Sequence, residues 1–182
     1  MGKRLEFALS SIPIQTLIND IRIVEFGGLD LRPKYQRNFI WKNDFKDKLI
    51  YSIIKSYPIG NIIIRQLNAP NEKGANAEIV DGQQRLTTIY EFVEGKYDIH
   101  SEISRKIIEE IQVFYGEKID SEFEKIKKKL NNKGNIRLRY DDLPSVIRGK
   151  FESFNISVTK ILEASDSEIT EYFRFLQNQE RL

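Results

Sequence analysis

Residues 79–90 read Ile-Val-Asp-Gly-Gln-Gln-Arg-Leu-Thr-Thr-Ile-Tyr, and this stretch decides the fold of the chain. A short apolar run ends at Asp81-Gly82, and three polar residues follow. The next apolar residues recur three and four positions apart, which is the spacing of a helix face. These residues are Leu86, Ile89, Tyr90 and Val93. The sequence therefore predicts a strand, a tight turn and the start of a helix.

Such a turn has the chemistry of an anion site. The start of a helix presents backbone N–H groups and the positive end of the helix dipole, which suit a phosphate. Gly82 allows a sharp turn and a close approach of the backbone to a ligand, and Arg85 adds a donor fork that matches phosphate. The same pattern also fits a plain strand-to-helix turn in which Asp81 caps the helix and Arg85 pairs with a nearby acid.

Residues 81–88 resemble the DGQQR signature of the N-terminal domain of GmrSD-type, modification-dependent restriction systems. Two further segments are similar to boxes of that family: Pro33–Arg37 followed by Trp41 resembles its YQR…W box, and Tyr57–Gly60 resembles its PIG turn. A late F-x-R-x-N box is matched imperfectly at 173–178, where the box ends in Leu176-Gln177-Asn178 instead of Leu-Asn.

This resemblance implies a fold and a function. The expected fold is α+β, with a small mixed sheet of the ParB/sulfiredoxin-like kind, packed helices and a helical C-terminal portion. Residues 1–182 are expected to form a single nucleotide-binding domain, the N-terminal fragment of a longer protein. The implied function is that of a Mg²⁺-dependent, NTP-hydrolysing regulatory domain in a DNA restriction or phage-defence protein, coupled to a nuclease domain outside this chain.

The resemblance also implies roles for individual residues. Asp81 is expected to hold Mg²⁺ or another divalent cation, as a hard oxygen ligand does. Gln83 or Gln84 would orient the attacking water, and Arg37 would offset charge that develops in the transition state. The residues expected to bind the NTP or its phosphates are Tyr35, Gln36, Gly82, Arg85, Thr87 and Thr88. Gln36 and Arg37 are predicted to lie within roughly 10 Å of the 81–85 turn, a span that a phosphate and its water can bridge.

Two other functions remain open from the sequence. The domain could be a non-catalytic nucleotide sensor or DNA-binding module, which needs phosphate contacts but no positioned water. It could also be a protein-interaction scaffold with a vestigial site. Formation of product would distinguish the NTP-hydrolysing domain from the non-catalytic sensor. Any effect of nucleotide would distinguish both of these from the protein-interaction scaffold.

Composition excludes several classes of site. The chain has no cysteine and a single histidine, His100, so disulfides, a His/Cys zinc site and an HNH nuclease centre are excluded. The formal net charge is only +2, so any nucleic-acid surface has to be a local patch. A cytoplasmic protein without a membrane span is expected. Its expected partners are the nucleotide, DNA through the full-length protein and a second copy in a homo-oligomer.

Periodicity and turn residues predict the remaining elements. Helices are predicted at 12–18, 43–57, 84–94, 101–115, 119–130 and 143–151, and after a capping box at Ser165 and Glu168. Strands are predicted at 21–26, 62–64, 79–80, 136–140 and 154–158.

Three charged groups remain to be placed. Arg137 and Arg139 lie on one side of the predicted exposed strand and fit either a solvated surface or contacts to nucleic acid. The lysine run at 125–129 fits a solvated helix face better than a nucleic-acid patch. Asp81, Glu94 and Lys96 have the spacing of a metal-dependent nuclease site, but the predicted helix would place Glu94 roughly 15 Å from the turn.

Overall fold

The computed structural model of the chain describes residues 6–34, 41–115, 121–130 and 136–179. The strands are β1 (Glu6–Pro13), β2 (Leu29–Asp30), β3 (Ile62–Gln66), β4 (Ala77–Asp81) and β5 (Asn155–Glu163). The α-helices are α1 (Ile14–Arg22), α2 (Asn43–Ile54), α3 (Gln83–Val93), α4 (Ser101–Tyr115), α5 (Ser121–Leu130), α6 (Ser145–Ser153) and α7 (Asp166–Gln179). Two short 3₁₀ helices cover Val24–Phe26 and Tyr140–Asp142.

The contacts of the chain fall into two compact units. The first unit contains the described residues of 1–39, 60–83 and 155–182, and the second contains those of 40–59 and 84–154. The predicted α+β class is confirmed, whereas the prediction of a single domain over residues 1–182 stays a prediction. Within the described part of the chain, no helix combines the length and the apolar character needed to cross a bilayer.

The first unit is built on a five-stranded mixed sheet with the order β1-β5-β3-β4-β2. Strand β3 runs parallel to β5 and antiparallel to β4, while β1 and β5 are antiparallel and β2 and β4 are parallel. Ile62, Ile63 and Ile64 of β3 are all buried, which confirms the predicted central strand. A continuous apolar strand is typical of a sheet that is covered on both faces.

Helix α7 covers part of this sheet. Its residue Ile169 is buried in a cluster with Ile63, Val80 and Ile161 of three strands. The predicted capping box begins the helix: the Ser165 N–H donates to Glu168 Oε2 at 2.8 Å, and the Glu168 N–H donates to Ser165 Oγ at 3.3 Å. Two otherwise unpaired donors at the helix start are thereby satisfied.

The N-terminal segment corrects one prediction. The helix predicted at 12–18 is confirmed from Ile14 onward, whereas Ile12 and Pro13 end β1. The strand predicted at 21–26 is wrong, because α1 continues to Arg22 and a 3₁₀ helix follows. The buried residues of α1 are Ile14, Leu17, Ile18 and Ile21. This is a complete helical stripe, and burying it outweighs the short alternation that indicated a strand.

The second unit is helical, with an aromatic centre. Phe92, Tyr140 and Phe151 pack edge to face, with ring centroids 5.7–6.0 Å apart. The strand predicted at 136–140 is wrong: only Leu138 pairs, in an isolated bridge to Ile99, and Tyr140 begins a 3₁₀ helix. Burial of Tyr140 between two phenylalanines explains why the chain turns there.

Helix α2 is shorter than predicted. It begins at Asn43 as expected but ends at Ile54, and the apolar face predicted for it is only partly buried. Phe45 is 54% exposed and Tyr57 is 52% exposed, so neither belongs to the core. The predicted helices at 101–115, 119–130 and 143–151 correspond to α4, α5 and α6, and are confirmed.

The turn between β4 and α3 confirms the predicted order of strand, turn and helix. The register of β3 and β4 shifts here, since Ile63 pairs with Asp81 whereas Ile64 pairs with Ile79. This bulge leaves Ile79 and Val80 both fully buried. Gly82 follows with φ of +87°, and a Cβ at this position would lie 2.3 Å from Cδ1 of Ile62. Only glycine meets both conditions without strain.

Gly82→Ala should therefore destabilise the protein by about 2–4 kcal/mol, since it adds a clash with buried Ile62 to the strain of a positive φ. Gly95 is the matched control. It has φ of +66°, but a Cβ at this position would meet nothing within 4 Å, so Gly95→Ala should cost only about 1 kcal/mol. Urea unfolding of both variants measures the difference, and equal losses would show that Ile62 yields to the new methyl group.

Candidate functional site

The side chains of the DGQQR box emerge where β4 ends and α3 begins. Asp81 is the last residue of β4, and Gln83 is the first residue of α3. Asp81, Gln83, Gln84 and Arg85 are all partly buried, whereas Leu86 and Ile89 are fully buried. The helix therefore packs its apolar side and leaves the polar side chains of its first turn near the surface.

Gln83 is attached to the backbone that follows β2. Its Nε2 donates a hydrogen bond to the carbonyl oxygen of Leu31 at 2.7 Å. Both residues belong to the first unit. Leu31 lies two residues before Pro33 in the sequence, where the YQR-like box begins.

Gln84 and Arg85 are attached to backbone groups of the second unit. The Trp41 N–H donates to Gln84 Oε1 at 3.1 Å, and Arg85 Nη1 donates to the carbonyl oxygen of Ile59 at 3.2 Å. Trp41 is the tryptophan of the YQR…W-like box, and Ile59 belongs to the PIG-like turn. Three consecutive side chains thus hold three separate backbone segments.

These contacts also fix the orientation of both amides. A carbonyl oxygen can only accept, so the Leu31 contact requires the Gln83 nitrogen; an N–H can only donate, so the Trp41 contact requires the Gln84 oxygen. The other polar atoms of the two amides, Gln83 Oε1 and Gln84 Nε2, do not take part in these two hydrogen bonds. Each glutamine therefore bonds to a backbone group with one end of its amide.

The two threonines of the box differ in exposure. Thr87 is partly buried, but Thr88 is only 1% exposed. The Thr88 hydroxyl is buried, and it has no hydrogen-bond partner among the described residues. The predicted roles of Thr87 and Thr88 in nucleotide binding stay predictions.

Three predicted site residues, Tyr35, Gln36 and Arg37, lie outside the residues that the structure describes. Their predicted distance to the 81–85 turn consequently stays a prediction. The described residues nearest to them in sequence are Lys34 and Trp41. The side chains of Gln177 and Asn178 in the late box are likewise outside the described part.

Among the described residues, no group of three or more histidine, cysteine or acidic side chains is placed to hold a metal ion. A magnesium ion does not require such a group, because Mg²⁺ is commonly bound by one or two carboxylates together with the phosphates of its substrate. Asp81, at the end of its strand, is the carboxylate that the resemblance assigns to Mg²⁺, and this role stays a prediction.

The nuclease-like spacing of Asp81, Glu94 and Lys96 does not converge in the structure. Helix α3 separates Asp81 from Glu94, and its 11 residues span about 16 Å. Lys96 follows Glu94 after the helix end and stacks over the ring of Tyr90, with 5.0 Å between Nζ and the ring centroid. The prediction that these residues do not form a nuclease centre stays a prediction.

A buried polar cluster in the second unit was not predicted. Asp47 on α2 is only 4% exposed. It accepts hydrogen bonds from the Tyr97 hydroxyl and from the backbone N–H of His100, and it lies 3.1 Å from Nδ1 of His100. Burial, together with the hydrogen bond to Asp47, raises the pKa of Tyr97 above its usual range, so the hydroxyl remains a donor. An aspartate within an otherwise apolar helix face was the only sequence signal.

The comparisons with known proteins give one match. The family model described as the GmrSD restriction endonuclease, N-terminal domain, matches residues 14–180. No curated protein and no solved structure matches the chain. The matched range contains all the boxes described above, including the whole of the 81–88 stretch.

Thr88→Val should raise the free energy of unfolding by about 1 kcal/mol, because it removes a buried hydroxyl without a partner and keeps the shape of the side chain. Thermal and urea unfolding measure this change, and Thr87→Val is the control at a less buried site. A loss of stability on changing Thr88 would show that its hydroxyl is satisfied in solution.

Proposed function

This chain belongs to the family of GmrSD restriction endonuclease N-terminal domains, and we propose that it binds NTP and hydrolyses it in a Mg²⁺-dependent manner. In this role the domain regulates a DNA restriction protein of the cytoplasm. The nucleotide site is the turn between β4 and α3, with Asp81, Gly82, Gln83, Gln84 and Arg85 as its central residues.

One observation carries the proposal. The three polar side chains after Gly82 attach to Leu31, Trp41 and Ile59, and these residues flank or belong to the other sequence boxes of the family. A plain strand-to-helix turn needs no such contacts. Within each unit these contacts hold side chains of the DGQQR box in place, and hydrogen bonds behind a binding site hold its groups in a productive geometry.

Phosphate would be held by groups at the start of α3. Arg85 brings a permanent positive charge, and its hydrogen bond to Ile59 limits the positions of the guanidinium. Gln84 Nε2 is a donor directed away from its Trp41 contact. Together with the helix dipole, these groups favour a bound anion. Gly82 lets the phosphate approach the backbone without meeting a side chain.

Hydrolysis needs a metal-binding group and an oriented water. Asp81 would bind Mg²⁺, which neutralises charge on the phosphates when it is bound. Gln83 Oε1 is an acceptor and would orient the attacking water through its hydrogen. Arg37 would stabilise negative charge in the transition state. These roles agree with the amide orientations fixed by Leu31 and Trp41.

A non-catalytic nucleotide sensor is the alternative at the same turn. It would use Arg85 and Gln84 for phosphate but would not need a water-orienting oxygen on Gln83. Release of phosphate from NTP separates the two functions, because a sensor binds without releasing product.

Asp81→Asn should abolish Mg²⁺-dependent release of phosphate from NTP, because the amide is a far weaker ligand for a hard cation. The chain is incubated with each of the four NTPs and Mg²⁺, and phosphate release is measured. Ligand binding is followed in parallel by thermal shift. A nucleotide at 100 times its Kd should stabilise the parent chain by about 2.7 kcal/mol.

Glu94→Gln is the matched control, since it also neutralises one carboxylate but lies at the other end of α3. It should leave phosphate release unchanged. Binding without any release by the parent chain would favour the sensor, and neither binding nor release would contradict both functions.

Gln84→Glu should weaken NTP binding at least about tenfold while preserving the fold. The carboxylate keeps an acceptor for the Trp41 N–H, but it replaces the Nε2 donor by a negative charge next to the phosphates. Isothermal titration measures affinity, and the free energy of unfolding in urea should change by only about 0.5 kcal/mol.

Gln83→Glu is the contrasting variant. It loses the donor to Leu31 and places a carboxylate against that carbonyl oxygen, so it should cost about 1–3 kcal/mol of stability. Unchanged NTP affinity in Gln84→Glu would remove Gln84 from the phosphate site.

A further inference from the structure

The second unit has an open pocket beyond the C-terminal end of α3. Its volume is about 310 Å³, and its charged lining residues are Lys96, Asp98, Arg137 and Arg139, with His100 beside them. Every residue that lines it belongs to the second unit. None of them is used in the proposed nucleotide site.

The pocket concentrates positive charge. Three cationic side chains and the single carboxylate of Asp98 leave a formal charge of +2, with His100 neutral. The whole chain also carries only +2, so the formal charges of the remaining residues cancel. Nε of Arg139 forms an ion pair with Oδ1 of Asp98 at 3.3 Å. The Arg139 side chain is 67% exposed, and an exposed pair of this kind is weak.

The two arginines lie on a segment that is held at Leu138. Ile136 and Leu138 are buried, while Arg137 and Arg139 between and after them are exposed. Leu138 is fixed by two backbone hydrogen bonds to Ile99, of 2.9 and 3.2 Å. Side chains two positions apart on such a segment point to the same side and start about 6.6 Å from each other. The two guanidiniums can therefore contact different phosphates.

The other walls of the pocket are also fixed. His100 is held by Asp47 through its Nδ1 at 3.1 Å, and its Nε2 lies 3.2 Å from Nδ2 of Asn43. The Asp47 carboxylate can only accept, so Nδ1 of His100 is the donor in this contact. The formal positive charge of the pocket comes from Lys96, Arg137 and Arg139.

We propose that this pocket binds the phosphodiester backbone of a nucleic acid. The separation of Arg137 and Arg139 suits successive phosphates of a polymer better than one small anion. Tyr97 is buried and Tyr90 is covered by Lys96, so these described tyrosines offer no open face on which a base could stack. Binding is accordingly independent of base sequence and strongly dependent on salt.

The test measures binding of a fluorescent DNA duplex of about 20 base pairs to the full 182-residue chain, by anisotropy at several salt concentrations and without nucleotide. Each phosphate contact contributes about 0.9 to the slope of log K against log salt. The double variant Arg137→Ala/Arg139→Ala should lower that slope by about 2 and the affinity by about tenfold or more near 0.1 M salt.

Lys125→Ala/Lys128→Ala is the matched control. It removes the same charge from α5 in the same unit, where both lysines are exposed, and it should change the slope little. Arg137→Lys/Arg139→Lys keeps the charge and should retain most of the slope. Thermal unfolding checks that each variant is folded.

Three results would overturn the proposal: equal losses in the two alanine variants, an unchanged slope in Arg137→Ala/Arg139→Ala, or no binding of the duplex by the parent chain. Competition by inorganic phosphate at millimolar concentration identifies a small-anion pocket and would also overturn it. Arg137 and Arg139 lie outside the 81–85 turn, so DNA binding can be measured whether or not the chain hydrolyses NTP. Failure of either proposal therefore does not imply failure of the other.

Discussion

The backbone at Gly82 is the constraint on which the rest of the site depends. Strand β4 has to end and α3 has to begin within one residue, directly against Ile62 of the central strand. The positive φ of Gly82 makes this possible, and the bulge at Val80 adjusts the register just before it. Contact with the buried Ile62 fixes the turn. The side chains of the next three residues therefore leave the helix start in defined directions and bond to Leu31, Trp41 and Ile59.

The sequence predicts local structure well where the spacing of apolar residues or a short motif indicates one type of element. The 79–90 stretch, the apolar β3 and the capping box at Ser165 each carry a signal within a few residues, and all three are confirmed. Strand β1 carried a weaker signal, because much of it is exposed and its partner β5 lies at the far end of the chain. Tyr140 was placed in a strand by alternation, but its contacts with Phe92 and Phe151 depend on tertiary packing that alternation does not encode.

The candidate site shows the same division. The turn, its glycine and its helix start follow from residues 81–86 alone. The partners of Gln83 and Gln84 do not, because a side-chain amide can bond to any backbone group that the fold brings close. Little in the sequence connects Asp47 with His100 either, since the two come together only when α2 packs near the start of α4. Most of the features that the sequence did not predict are contacts between segments that lie far apart in the chain.

The chemistry of the amide group explains why glutamine suits both positions 83 and 84. An amide has a donor at one end and an acceptor at the other, so one side chain can hold a backbone group and still present a polar atom of the opposite kind. A carboxylate would accept at both ends and repel phosphate, and a shorter asparagine would reach less far from the helix start. Gln83 holds a carbonyl oxygen and Gln84 holds an N–H, so the atoms they present differ: an acceptor on Gln83 and a donor on Gln84. An acceptor suits a water that has to be oriented, and a donor suits a phosphate, so in the proposed function the pair would serve both needs of phosphoryl transfer from one helix turn.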